Sequence, residues 1–122
     1  MTTLVLLSGG LDSATLLYHV RQRQSQSPLA LSLHYGQRHA CELAAAETLA
    51  AGLGVPWACV QLPSLAPIWP GSSQTDAQVA VPHGHYAAPT MRATVVPNRN
   101  MLLLSVAGAY ALTHGASILA YA

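Results

Sequence analysis

Leu4-Val5-Leu6-Leu7-Ser8-Gly9-Gly10-Leu11-Asp12-Ser13 runs from an apolar segment through two glycines into an amphipathic stretch, Ala14-Thr15-Leu16-Leu17-Tyr18-His19-Val20. A buried strand that breaks at glycine and restarts as a helix aims free backbone N–H groups, and the positive end of the helix dipole, at one point. That point is an anion site. Gly9 and Gly10 permit positive φ and let a phosphate approach the backbone, and the Ser8 and Ser13 hydroxyls offer further donors. Asp12 differs, because a carboxylate there repels a bare phosphate. It implies Mg²⁺ between the two, or a structural role as helix cap. The loop is not a Walker loop, since no Gly-Lys-Ser/Thr follows, and it lacks the third glycine of a dinucleotide fingerprint.

Outward from this segment the chain alternates strand and helix. The first strand is Leu4 to Leu7, and Leu16, Leu17 and Val20 give the helix after it an apolar stripe. Pro28 precedes a second strand, Leu29 to Leu33. A helix from about Ala40 to Ala51 carries Leu43, Ala46, Ala50 and Leu53 at helical spacing and is closed by Gly52 and Gly54. Trp57 to Leu62 reads as a third strand. From Pro63 to Thr94 both periods vanish among prolines and glycines, the pattern of a long loop, lid or linker. A further helix begins near Arg99-Asn100 and buries Leu103, Val106, Ala107, Tyr110 and Ala111. Gly115 suits its C′ position, and Ile118 to Tyr121 forms a short buried strand. The expectation is one α/β domain over residues 1–122, a doubly wound parallel sheet whose ligands lie at the carboxyl ends of its strands.

Composition bounds the function. Only 7% of the 122 residues are charged, against roughly a quarter in typical soluble domains. Lysine is absent, and five scattered arginines with a net charge of +1 make no basic stripe for nucleic acid. So apolar a surface implies a covered interface, an incomplete domain or a compositional bias of the genome. Met101 to Ala122 holds no charge and is long enough to span a bilayer, but His114-Gly115-Ala116-Ser117 interrupts it. Without a basic region at its start the N-terminus is no signal peptide, and a cytoplasmic location with no membrane partner is expected. Cys41 and Cys59 form no CxxC pair and read as core thiols, while His83 and His85, in a proline-containing stretch, read as solvated.

Ser8-Gly9-Gly10-Leu11-Asp12-Ser13 resembles the SGGxDS signature of the PP-loop, or N-type, ATP pyrophosphatases. With His34-Tyr35-Gly36-Gln37-Arg38-His39 and Val95-Val96-Pro97-Asn98-Arg99-Asn100 in the same order, the chain looks like the 7-cyano-7-deazaguanine (preQ0) synthases of queuosine biosynthesis. Asn98 stands where that family usually has glycine, and asparagine tolerates a left-handed backbone. The family also continues past the counterpart of Ile118 to Tyr121, with a cluster of cysteines that binds zinc. Those cysteines have no counterpart here, so an adenine-nucleotide α-hydrolase-like domain incomplete at its C-terminus is expected.

The resemblance implies conversion of the carboxylate of 7-carboxy-7-deazaguanine to a nitrile, with ammonia and ATP as the other small-molecule substrates. Its ATP site maps onto Leu6, Leu7, Ser8, Gly9, Gly10, Leu11, Asp12, Ser13, Ala14, Thr15 and Leu16, with Asp12 as Mg²⁺ ligand. Arg99 would stabilise transition-state charge and Arg38 would clamp the substrate carboxylate. The alternatives are another PP-loop enzyme, one that thiolates or amidates tRNA, and a non-catalytic nucleotide-binding or interaction module. A final strand without its expected neighbour implies homodimerisation or wider self-association.

Overall fold

The computed structural model describes residues 1–23, 26–36, 41–62 and 99–122. The expected loop over 63–94, with His83 and His85, lies outside them, as do Arg38 and Asn98. The described residues form β1 (Thr2–Leu6), α1 (Leu11–Gln22), β2 (Ser27–His34), α2 (Cys41–Leu53), β3 (Trp57–Gln61), α3 (Arg99–Thr113) and β4 (Ile118–Ala120). All strand pairs are parallel, in the order β3-β2-β1-β4.

Side chains alternate across such a sheet, and here both alternating sets are apolar, so helices must cover both faces. Val5, Leu7 and Ala30 pack on one side with Leu17 and Val20 of α1 and Ala46 and Ala50 of α2. Leu4, Leu31 and Leu33 pack on the other with Ala107 and Ala111 of α3. The sheet is therefore doubly wound. Alanine suits the helix positions that touch the sheet, because it combines high helix propensity with a small side chain that lets the backbone come close. Ala46, Ala50 and Ala107 are fully buried.

Observed boundaries shift in both directions from those read from apolar runs: β2 and the end of α2 run longer, whereas β1 stops at Leu6, β3 at Gln61 and β4 at Ala120. β1 begins at Thr2 rather than Leu4, since β-branched threonine fits a pleated surface and buried Thr3 hydrogen-bonds through Oγ1 to Gln26 Oε1 at 3.1 Å. β2 includes Pro28. The missing N–H there costs no ladder bond, because pairing with β3 starts only at Ala30. Gly52 lies inside α2 and only Gly54 ends it. Gly54 has φ +68°, and the N–H of Val55 donates to the Ala50 carbonyl at 2.9 Å. The same closure ends α3, with Gly115 at φ +71° and Ala116 N–H donating to Ala111 at 2.9 Å. Each is a Schellman turn, in which an αL residue satisfies carbonyls that the helix leaves open.

Leu31 is fully buried in the middle of β2. Leu31→Ala is expected to lower unfolding free energy by roughly 2–5 kcal/mol. Leu112→Ala, at a position 84% exposed, is expected to change it by less than about 0.5 kcal/mol. Urea denaturation of the two variants checks the assignment of core and surface.

Candidate functional site

β1 ends at Leu6 and α1 begins at Leu11, leaving four residues to reverse the chain. Gly9 makes the reversal with φ +90°. A Cβ built on it would overlap the backbone carbonyl of Glu42, in the first turn of α2, so Gly9 is fixed both by conformation and by close approach. Gly10 is different. It is the N-cap of α1 at φ −82°, and an added Cβ would meet only Ser8 Oγ, at 3.4 Å. Both glycines permit positive φ, and only Gly9, the residue that faces the α2 backbone, uses it. Asp12 is not the cap either, since the cap is Gly10 with no side-chain hydrogen bond.

Serines brace the turn from within. Ser13, 2% exposed, accepts a hydrogen bond from the Ser8 N–H at 3.1 Å and lies 3.0 Å from Ser8 Oγ and 3.3 Å from the Gly10 carbonyl. The Gly10 N–H donates to Ser8 Oγ at 3.2 Å. The first intrahelical bond runs from Ala14 N–H to the Gly10 carbonyl at 3.1 Å. The amides of Leu11, Asp12 and Ser13 precede it and are left to an outside acceptor, with the helix dipole behind them.

Beside the turn opens a cavity of about 310 Å³. It lies at the carboxyl ends of the strands, bordered by Leu6 of β1, Leu7 and Ser8 just beyond it, Tyr35 beyond β2, and Tyr121 beyond β4. α3 points its first turn at the same space, contributing Arg99 and Asn100, and α2 contributes Glu42. The interior is leucine: Leu31, Leu33 and Leu103 among others. A cavity lined largely by leucines, with a cation and an anion in its wall and a braced glycine turn beside it, can hold a flat ring and its phosphates.

The expected site residues therefore divide. Leu6, Leu7, Ser8 and Arg99 border the cavity, and Gly9, Gly10, Leu11, Asp12 and Ser13 form the turn and helix start beside it. Leu16 instead packs against the core. The Thr15 hydroxyl donates to the Leu11 carbonyl at 2.9 Å, and Ala14 serves through its backbone. The sequence reading missed Tyr35, Glu42, Asn100 and Tyr121. Tyr35 and Asn100 each lay within a quoted motif, whereas Glu42 reaches the site only because α2 docks on Gly9.

The Asp12 carboxylate is exposed in the first turn of α1. Among the described residues no three His, Cys, Asp or Glu side chains assemble into a metal site. One exposed carboxylate beside a turn with free amides suits Mg²⁺, an ion that takes much of its coordination from water and from phosphate where one is bound. Zinc does not fit. The chain has two cysteines, both free, with Cys41 exposed at the start of α2 and Cys59 inside β3. Burial, and then the nearby Glu47 carboxylate, push the Cys59 thiol above its ordinary range. No described helix is long and apolar enough to cross a membrane.

The family model described as "Queuosine biosynthesis protein QueC" matches residues 2–122. A 7-cyano-7-deazaguanine synthase of Marinobacter nauticus is 44% identical over 120 residues, which are 98% of this chain and 53% of that protein. One from Caldicellulosiruptor bescii is 45% identical over 121 residues, 99% of this chain and 54% of the relative. One from Rhizobium meliloti is 46% identical over 122 residues, 100% and 51% of the two chains. The chain spans about half the length of the curated relatives it matches. With the match running from Thr2 to Ala122 and the turn at the head of its first helix, the chain belongs to the QueC family of queuosine biosynthesis proteins.

Proposed function

We propose that this chain carries the ATP site of a 7-cyano-7-deazaguanine synthase, which converts 7-carboxy-7-deazaguanine to the nitrile with ammonia. The observation that supports this most is the braced turn Ser8 to Ser13, opening beside the first amides of α1 onto an apolar cavity. A carboxylate is a poor electrophile. Its oxygen attacks the α-phosphorus of ATP and expels pyrophosphate, giving an acyl adenylate. Ammonia adds to the acyl carbon and AMP leaves with the oxygen, which yields the amide. A second nucleotidyl transfer to the amide oxygen, followed by loss of AMP and a proton, leaves the nitrile.

In this reading the amides of Leu11, Asp12 and Ser13, with the Ser8 hydroxyl, hold phosphate oxygens in line for attack. Ser13 supplies its amide while its buried hydroxyl keeps Ser8 in place. The leucine-lined cavity receives the adenine. Arg99, at the cavity wall, stabilises charge on the departing pyrophosphate, and Arg38 clamps the substrate carboxylate. Asp12 would hold Mg²⁺, which supplies neutralisation of phosphate charge when bound. For partners, the reading is self-association in a cytoplasmic protein through β4, which pairs on one side only among the described strands.

Calorimetric titration with ATP and Mg²⁺ tests the site. Gly10→Val is expected to abolish binding by blocking phosphate approach to the backbone while keeping the fold, because Gly10 has ordinary φ and an added Cβ meets only Ser8 Oγ, at van der Waals distance. Ser8→Ala is expected to lose roughly 1.5–3 kcal/mol of binding, one hydrogen bond to a charged group. Gly9→Ala is expected to lower the melting temperature even without nucleotide, since it meets the Glu42 backbone. Equal ATP affinity in wild type and Gly10→Val would show that the turn is not the phosphate site.

Turnover provides a second test, with nitrile formation followed from the carboxylate, ATP and ammonia. Arg99→Ala is expected to lower kcat by about 10²–10³, the usual loss for one preorganised charge-stabilising donor. A rise in KM alone would assign Arg99 to binding instead.

A further inference from the structure

Ser32 is out of place for its strand. β2 is central, its two faces are covered by α1, α2 and α3, and its other interior positions are Ala30, Leu31 and Leu33. A hydroxyl buried there is costly unless it is satisfied, and Ser32 is 1% exposed. It is satisfied twice. Ser32 Oγ donates to the Leu7 carbonyl at 2.5 Å and accepts from the Trp57 indole Nε1–H of β3 at 2.9 Å.

Leu7 is the residue at which β1 gives way to the glycine turn. Its carbonyl and the Ser8 N–H belong to one planar peptide unit. The carbonyl accepts from Ser32 of β2, and the N–H donates to Ser13 Oγ of α1 at 3.1 Å. One peptide plane is therefore gripped at both edges by two buried serines from different elements. Its rotation sets where Ser8 points, and Ser8 Oγ in turn takes the Gly10 N–H at 3.2 Å. Linked hydrogen bonds of this kind polarise one another, so the Trp57 donor strengthens the Ser32 hydroxyl as a donor to Leu7.

We propose that Ser32 is a positioning residue of the glycine turn, acting through the Leu7–Ser8 peptide plane, with Trp57 as its anchor. Ser32 touches no phosphate and does no chemistry. Its effect on nucleotide affinity rests on the ATP reading above; its effect on the turn does not.

The test joins amide hydrogen exchange of the ligand-free chain, followed by NMR, with calorimetric ATP titration. In Ser32→Ala the Ser8 amide is expected to exchange about tenfold faster, beyond any change at core amides such as Leu31, and the ATP Kd to rise about tenfold. Ser32→Thr, which keeps the hydroxyl on a β-branched side chain suited to a strand, is expected to restore both values to within about twofold. Trp57→Phe, which removes only the indole donor, moves both in the direction of Ser32→Ala by a smaller factor and provides the reading should Ser32→Ala not fold. A lower melting temperature with Ser8 exchange and ATP Kd both unchanged would overturn the proposal, since Ser32 would then serve only packing. Failure of the wild type to bind ATP would overturn the nucleotide reading, and faster Ser8 exchange in Ser32→Ala would still support the clamp.

Discussion

The close approach of Gly9 to the Glu42 backbone is the contact on which the rest of the site depends. A side chain at residue 9 would collide with α2, and a φ of +90° is one that glycine adopts without strain. Because the turn is this tight, α1 starts directly behind β1 and delivers its free amides to the end of the strand. Because α2 closes on the turn, Glu42 lines the same cavity as Arg99 of α3. One glycine thereby joins β1, α1 and α2. Burial of the sheet on both faces holds the three together.

The scarcity of charge acquires a structural meaning in this arrangement. Of the few ionic groups in the chain, Glu42 and Arg99 border the cavity and Asp12 stands in the first turn of α1 beside it. Elsewhere polar work falls to hydroxyls. Thr3, Ser13 and Ser32 are the buried polar residues of the described core, and each makes a hydrogen bond across elements or across the turn. Neutral hydroxyls suit such positions, because burying them with a partner costs far less than burying a charge. The alanine-rich helices follow the same economy, packing closely on the sheet without long side chains.

Much of this was legible in the sequence because it depends on local pattern. The apolar runs at Leu4 and Leu29, the helical spacing of Leu16, Leu17 and Val20, and the glycine at residue 115 each report a period or a backbone angle. A strand flanked by helices then implies a parallel sheet and a crevice at its carboxyl edge. What was not legible depends on contacts distant in sequence. Which of Gly9 and Gly10 carries positive φ is decided by α2, and nothing near residue 9 announces Glu42. The hydroxyl of Ser13 looks free to meet a ligand, yet burial turns it to the Ser8 amide. Ser32 left a signal, a polar residue inside an apolar strand, but its meaning appears only when β1 and β3 lie on either side of it.

The phosphate site proposed above lies at the amides at the start of α1. A crystal structure of the chain with a non-hydrolysable ATP analogue and Mg²⁺ tests it most directly. Phosphate oxygens are expected about 3 Å from the amide nitrogens of Leu11, Asp12 or Ser13, with the base in the cavity beside Leu31 and Leu103. Phosphates bound elsewhere, with the amides of Leu11 to Ser13 facing only water, would contradict it.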